Sequence, residues 1–302
     1  MKYIITADWH LRSQKPRCRL DEDWIETQRT ALNSIVMYAA ENKADVFCIG
    51  DIFHSTNETT NEVIGLVQEF ALMLSDSDLS LYILAGNHDL PQHNIDNMNR
   101  SAFNILLNSK NIYYIGHLTP KAFNNYKVSA ANFGESDSGD ADIIFKHILC
   151  FPENMKIPIF NNKIVRPSEL FQMYANAKYI FTGDYHRQFV YKNKNKMLFN
   201  PGCLLRQAAD MIDYEPSVFL IDFDEPDFGY RICPIPDKEK MVTDVYLENE
   251  KERNFRIEAF IERIKDNKEA SFDFIENVHA MMKKNDISKD VKNTIYELME
   301  NI

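Results

Sequence analysis

Basic side chains are outnumbered in this sequence: 34 Lys and Arg stand against 45 Asp and Glu, a formal net charge of -11 at pH 7. That balance excludes a protein that holds nucleic acid through a broadly basic surface, because neutralising phosphates draws on an excess of Lys and Arg. Any grip on phosphate must be local. Cysteine is sparse and unpatterned. The five residues (Cys18, Cys48, Cys150, Cys203, Cys233) are odd in number and never form Cys-x-x-Cys, which reads as reduced intracellular thiols rather than a disulfide frame or a zinc cage. No stretch approaches the ~18 apolar residues of a membrane span. The opening run Met1–Asp8 carries one basic residue and too short an apolar segment for a secretory signal. Repeats and low-complexity segments are absent too, and a soluble cytoplasmic protein is expected.

What is present is a globular composition, 45% hydrophobic and 26% charged over 302 residues, long enough for one large domain with a small appendix. Residues 2 to 7, 45 to 49 and 79 to 84 read as buried strands. Between them, Trp24 to Ala39 and Val63 to Leu74 follow a 3.6-residue apolar period, and a further helix is expected near residues 98 to 108. This β-α-β-α-β order predicts an α/β layered fold with parallel pairing in the first half. After residue 110, β-prone runs at 112–115, 127–131, 143–147, 178–182, 187–192, 197–199 and 217–223 dominate, with one short helix after Pro167. A second sheet packed on the first would bury both. Pro234, Pro236 and the charged run Asp237–Lys240 suggest a boundary, giving a main domain over 1–236 and a helical region over 237–302. Its apolar stripes lie at 257–264, 274–282 and 291–302, with Ser288 as N-cap of the last.

Five clusters of metal-binding side chains each sit where an expected strand ends: Asp8-Trp9-His10, Gly50-Asp51-Ile52-Phe53-His54, Gly86-Asn87-His88-Asp89, Lys146-His147 and Gly183-Asp184-Tyr185-His186. The carboxyl ends of strands form the ligand crevice of open α/β sheets, so clusters distant in sequence converge there. Such a set supports a two-metal site, in which a carboxylate bridges two divalent ions surrounded by oxygen and nitrogen ligands. Asp51, following an apolar strand and a glycine, is the natural bridge. Imidazole, carboxylate and amide ligands without thiolate suit Mn²⁺, Fe or Zn²⁺. Taken singly, Asp-x-His reads as a capped turn and Gly-Asn-His-Asp as a bare turn. Five coincident clusters do not.

The order Asp-x-His, Gly-Asp-x-x-(Asp or His), Gly-Asn-His-Asp, His, Gly-x-x-His resembles the calcineurin-like metallophosphoesterase superfamily, and Gly50–His54 is most similar to its Mre11/SbcD nuclease branch. The resemblance spans about residues 1 to 235. It implies a four-layer α-β-β-α sandwich with a small helical appendix, a dinuclear centre, and hydrolysis of phosphodiester bonds by a metal-activated water. It implies Asp8, His10, Asp51 and His186 around one ion and Asp51, Asn87, His147 and Asp184 around the other. His88 would protonate the leaving oxygen, with Asp89 orienting it. His54 corresponds to a histidine that orients the scissile strand; a plain hydrogen-bonding histidine is the alternative. The family usually carries Gly-His-x-His in the last motif, and Asp184 departs from it, a variant also similar to that of phage and prophage metallophosphoesterases. A harder, anionic ligand shifts the second site towards Mn²⁺ or Mg²⁺.

The implied activity is a manganese-dependent DNA exonuclease or endonuclease of the kind used in DNA repair. The partners implied are single- or double-stranded DNA, a Rad50/SbcC-like ATPase for which the C-terminal helices would be a docking element, and a homodimer. In a phage-encoded protein the location would be the host cytoplasm. Arg12, Lys15, Arg17 and Arg19 follow Asp8 and His10 on one loop. They either contact phosphates or pair with Asp21, Glu22 and Asp23 in a solvated loop. Arg206, just beyond Asn200-Pro201-Gly202, is a further phosphate candidate. Lys192, Lys194 and Lys196 read as a solvated hairpin turn, and His93, His117 and His279 as surface or packing residues. Two other functions compete: a phosphodiesterase or phosphatase for nucleotides or small esters, and a regulatory module that keeps the fold without turnover.

Overall fold

Strands that are apolar on both faces must be covered on both faces, and that requirement sets the layering. The computed structural model describes residues 2–116, 121–123, 126–136, 139–156, 164–225, 229–237, 241–247, 256–257, 278–279, 281–283, 285 and 287–299. In chain order the elements begin with β1 (Lys2–Thr6), α1 (Trp24–Asn42), β2 (Asp45–Ile49), α2 (Asn61–Ser75), β3 (Leu81–Leu84), α3 (Phe103–Leu106) and β4 (Ile112–Tyr114). They continue with β5 (Lys121–Phe123), β6 (Tyr126–Ala131), β7 (Ile143–His147), α4 (Pro167–Met173), β8 (Tyr179–Gly183), β9 (Phe189–Asn193) and β10 (Lys196–Asn200). The last are β11 (Ser217–Asp222), β12 (Gly229–Pro234) and α5 (Lys289–Met299).

Two six-stranded sheets result, in the orders β12-β11-β1-β2-β3-β4 and β5-β6-β7-β8-β10-β9. β1, β2, β3 and β4 pair in parallel, as do β6, β7, β8 and β10, so their carboxyl ends gather at one side of each sheet. Alternation along each strand assigns its two faces. Tyr3, Ile5, Phe47 and Ile49 from the first sheet meet Phe145, Phe181 and Phe199 from the second, forming the core between sheets. Phe47 stacks on Phe145 with centroids 4.8 Å apart. On the opposite faces, Ile4, Val46, Cys48 and Ile83 pack under α1, α2 and α3. Ile144, Ile180 and Leu198 pack under Leu170 and Phe171 of α4. The layers are therefore α-β-β-α, the expected fold class.

Local chemistry explains the helix limits. The Asp23 carboxylate caps α1 by accepting from the Glu26 N–H at 2.9 Å, and the Thr60 hydroxyl caps α2 at Val63. The helix expected over 98–108 is instead a 3-10 segment, Ile95–Arg100, and the one-turn α3, because Ser101 is extended (φ -101°, ψ 161°). The chain divides into two compact units, Met1–Val242 and Thr243–Ile302. The first runs past the Asp237–Lys240 charge run because the Asp237 side chain is fully buried, and Leu20 N–H donates to Met241 O at 2.9 Å. In the second unit Val278, Met282 and Ile295 form a small core with Ile287 and Val291, and Tyr296 hydrogen-bonds His279. Residues 258–277 lie outside the described residues, so most of the first two expected tail stripes do as well.

Candidate active site

Parallel pairing brings the ends of β1, β2, β3, β7 and β8 together, and each delivers one of the five clusters. The polypeptide leaves these strands abruptly. Asp8 (φ 49°), His10 (φ 46°), Asp51 (φ 52°) and Asp184 (φ 76°) all occupy the left-handed region, a strained conformation for non-glycine residues that collects at functional sites. Main-chain bonds hold it: Asp8 N–H donates to Gly50 O and His10 N–H to Asp51 O, both at 3.0 Å. Glycine is required where imidazole packs against backbone. Gly50 has φ 81°, and a Cβ there would collide with the His147 ring; one at Gly183 would collide with Ile49 O and lie 2.7 Å from His147 Nδ1.

Three sets of side-chain donors converge within 4.8 Å: Asp8, His10 and His186; Asp8, Asp51 and His147; and His10, His54 and His88. Asp8, Asp51, His10 and His147 are at most 3% exposed. Asp51 Oδ2 lies 3.5 Å from both His10 Nε2 and His147 Nε2 and is buried without a hydrogen-bond partner. A bare buried carboxylate oxygen is costly and calls for an explanation. His147 Nδ1–H donates to Ile49 O at 2.7 Å, which leaves its Nε2 lone pair for the site, 3.0 Å from Asn87 Oδ1. The Nε2 atoms of His10 and His186 stand 3.0 Å apart. Convergent imidazole nitrogens around an orphaned carboxylate oxygen fit divalent cations. The Asp184 carboxylate joins none of the three sets. Its N–H donates to both oxygens of Asp8, at 3.0 and 3.1 Å, and its charge acts on His147 and Asp51 from beside them.

The electrostatics have the same origin. Burial raises Asp8 well above the usual carboxylate range, and it raises Asp184. Burial works against ionised Asp51, but His147 and His10 outweigh it and hold Asp51 below that range. Burial also opposes a charged His147, yet Asp51 and Asp8 raise it well above an ordinary histidine. Burial lowers His10 and His186. Cations entering the cluster would compete with protons for these side chains.

His88 lies at the edge of this centre, its ring 4.8 Å from that of His10. Its Nδ1–H donates to His54 O at 2.6 Å, and its backbone N–H to Asp51 Oδ1 at 2.8 Å. His54 Nε2 is 2.9 Å from the Arg12 guanidinium, and burial together with Arg12 pushes this histidine down to about 4. Asp89 corrects an expectation. Its fully buried carboxylate accepts from Phe53 N–H and Gly86 N–H at 2.9 Å and from Ile52 N–H at 3.3 Å, so it braces the loops carrying the ligands, while the His54 carbonyl orients His88. Burial and the neighbouring Asp51 raise Asp89 to about 7.

Two arginines also need correction. The Arg19 side chain is 0% exposed and binds Asp21 at 2.7 Å and Asp237 at 2.8 Å; Arg206 binds Asp237 at 2.9 Å. Both are held inside the protein by carboxylates and do not face a phosphate. Arg17 is exposed on the same loop, and Lys15 Nζ donates to Asp21 O. Lys194 turns the β9–β10 hairpin with φ 54°. His117 lies outside the described residues.

Sequence reasoning missed three positioning side chains. Gln207 Nε2 donates to Trp9 O at 3.2 Å and His10 O at 3.1 Å, fixing the left-handed turn at β1. Asn200, fully buried, donates to Tyr185 O at 2.6 Å and Arg187 O at 3.0 Å, fixing the turn at β8. Asn200 opens the Asn200-Pro201-Gly202 turn already noted in the sequence, and Gln207 follows shortly after it. His93 Nδ1–H donates to Asn87 O at 2.8 Å, and nothing in its sequence neighbourhood announces that bond.

Known proteins share parts of this sequence and its fold. Residues 1–188 match the family model of the calcineurin-like phosphoesterases. Exonuclease subunit 1 of Enterobacteria phage T4 is 28% identical over 103 residues, which is 33% of this chain and 29% of that protein, so the similarity spans under a third of the relative. Among solved structures, TT1561 of Thermus thermophilus has 14% identity and a TM-score of 0.46, covering 76% of this chain and 98% of that one. A dimetal phosphatase from Danio rerio has 9% identity and a TM-score of 0.45, covering 80% and 98%. No described helix is long and apolar enough to cross a membrane. With a family model spanning well over half of its length, the chain belongs to the calcineurin-like phosphoesterase family, whose members are metal-dependent phosphoesterases.

Proposed function

We propose that this phosphoesterase is a nuclease of the Mre11/SbcD kind that hydrolyses phosphodiester bonds of DNA with Mn²⁺, in concert with a Rad50/SbcC-like ATPase. The observation that carries this reading is the His54–Arg12 pair, 2.9 Å apart, beside the convergent donors. It sets a guanidinium next to the place where phosphate would bind, which suits a substrate with charge on neighbouring phosphates. The similarity to exonuclease subunit 1 of phage T4 supports the same reading.

Asp8, His10, Asp51 and His186 would hold one cation, and Asp51, Asn87, His147 and the neighbouring Asp184 the other. Bound there, divalent cations supply Lewis acidity and an ionised water near neutral pH. His88, with Nδ1 committed to the His54 carbonyl, keeps Nε2 to donate a proton to the departing oxygen. Arg12 orients His54 and offsets phosphate charge. Gly50 and Gly183 let His147 sit against the backbone of both sheets.

A second reading, a phosphodiesterase for single nucleotides, is favoured by a cavity of about 360 Å³ beside His54 and His88, a size suited to a small ester. The test is one assay with Mn²⁺ on single-stranded DNA, double-stranded DNA, a cyclic nucleotide and an aryl phosphodiester. Cleavage of DNA, with Arg12→Met slowing it far more than aryl ester hydrolysis, supports the nuclease. Activity confined to the small esters overturns it.

A further inference from the structure

The cavity beside the convergent donors shares His54, Asn87 and His88 with them, so a group lodged in it lies next to that centre. Its wall also includes Glu58, Gln92 and His93. This wall is built rather than incidental. Gln92 (φ 56°) and His93 (φ 53°) are consecutive non-glycine residues in the left-handed region, a strain that the surroundings must enforce. Part of that enforcement is the 2.8 Å bond from His93 Nδ1–H to Asn87 O, which ties the wall to the donor set and leaves the other ring nitrogen of His93 for a ligand. Its ring centroid is 6.1 Å from that of His88.

The chemistry of the lining is selective. It offers hydroxyls, amides and imidazoles, which bond to sugar hydroxyls and base edges, and one carboxylate, Glu58. None of the described lining residues is Lys or Arg. The Arg12 guanidinium bonds to His54 without itself lining the cavity, and Glu58 acts on its charge. At about 360 Å³ the volume lies near the lower end of small-ligand sites, with room for a nucleoside.

We propose that this cavity is a nucleoside subsite next to the scissile phosphate, and that Glu58 makes it refuse a nucleoside carrying a second phosphate. The inference rests on phosphoester hydrolysis at the metal donors and holds whether the physiological substrate is DNA or a single nucleotide. It predicts a preference for ends that are not phosphorylated.

Calorimetric titration of the full chain loaded with Mn²⁺ tests it, using thymidine 5′-monophosphate, thymidine 3′-monophosphate and thymidine 3′,5′-bisphosphate. Whichever phosphate of the bisphosphate takes the metal donors, the other must enter the cavity, so cleavage polarity does not matter. The better monophosphate binds at least about tenfold tighter than the bisphosphate, since like charges brought together cost affinity. Glu58 is exposed, so Glu58→Gln and Glu58→Lys leave the core intact, and they narrow and then reverse that ratio. Tighter or equal binding of the bisphosphate by the unaltered chain, no binding of either monophosphate, or a ratio unmoved by Glu58→Lys overturns the subsite. Failure to cleave DNA with the ratio intact would instead sink the nuclease reading alone.

Discussion

Replacing Asp237 by Asn removes the anion shared by two buried arginines. In the folded chain Asp237 binds Arg19 at 2.8 Å and Arg206 at 2.9 Å, and the three side chains are 0%, 0% and 8% exposed in that order. Removing one partner of a buried pair costs about 3–5 kcal/mol, because the remaining charge stays desolvated. Arg19 keeps its second anion, Asp21, at 2.7 Å, and the amide keeps one acceptor oxygen, which places the expected loss near 3 kcal/mol. With a denaturant dependence of about 3 kcal/mol/M for a unit of this size, the urea midpoint falls by about 1 M. Far-UV circular dichroism in urea reads the change. Arg12→Met is the control: Arg12 is half-buried with no carboxylate within ion-pair distance among the described residues, so its removal shifts the midpoint by less than about a third as much. An unchanged midpoint for Asp237→Asn would refute the claim that Arg19 and Arg206 are structural and return both to the substrate surface.

Other consequences can be measured alongside. His88→Ala should retain Mn²⁺ binding in titration calorimetry yet lose about 10²–10⁴-fold in turnover on esters with alkyl leaving groups, and far less on aryl esters whose leaving group needs no proton; equal losses on both would remove His88 from the acid role. Gly183→Ala forces a methyl group against Ile49 O and the His147 ring, costing about 1–3 kcal/mol in stability and displacing a metal donor, so thermal melting and Mn²⁺ affinity should fall together. Burial works against the Asp21 carboxylate, but Arg19 outweighs it and holds Asp21 below its ordinary value, so its stabilisation is complete above the unfolded-state value and fades as acid protonates the folded carboxylate. The stability gap between the wild type and Asp21→Asn should therefore be constant above about pH 5 and shrink below about pH 4; a gap that widens in acid would contradict the pairing.

Much of the centre was legible in the sequence because its chemistry is local. Asp8, His10, Asp51, His147 and His186 each follow an apolar run, and parallel strands with crossover helices bring such positions to one edge. The four layers were legible for a similar reason, since uninterrupted apolar strands such as Tyr3-Ile4-Ile5 require cover on both faces. The arginines were not legible. Arg19 finds its partner Asp237 across 218 positions, and a charge run near two prolines looks like a linker until that bond is seen. Asp89 adjoins His88 in sequence, yet its carboxylate turns to backbone amides 36 and 37 residues earlier, at Phe53 and Ile52. His93 was set aside as a surface residue because its one informative partner is a main-chain carbonyl, which no residue pattern records.

In the proposed centre Asp51 would be the carboxylate common to both cation sites, so the reading depends most on this residue. Calorimetric titration of the metal-free chain with Mn²⁺ should show two bound ions per chain, and Asp51→Asn should weaken both sites together while abolishing hydrolysis of an aryl phosphodiester. Two ions bound by Asp51→Asn with undiminished affinity, or full hydrolysis by the wild type after exhaustive chelation, would contradict it.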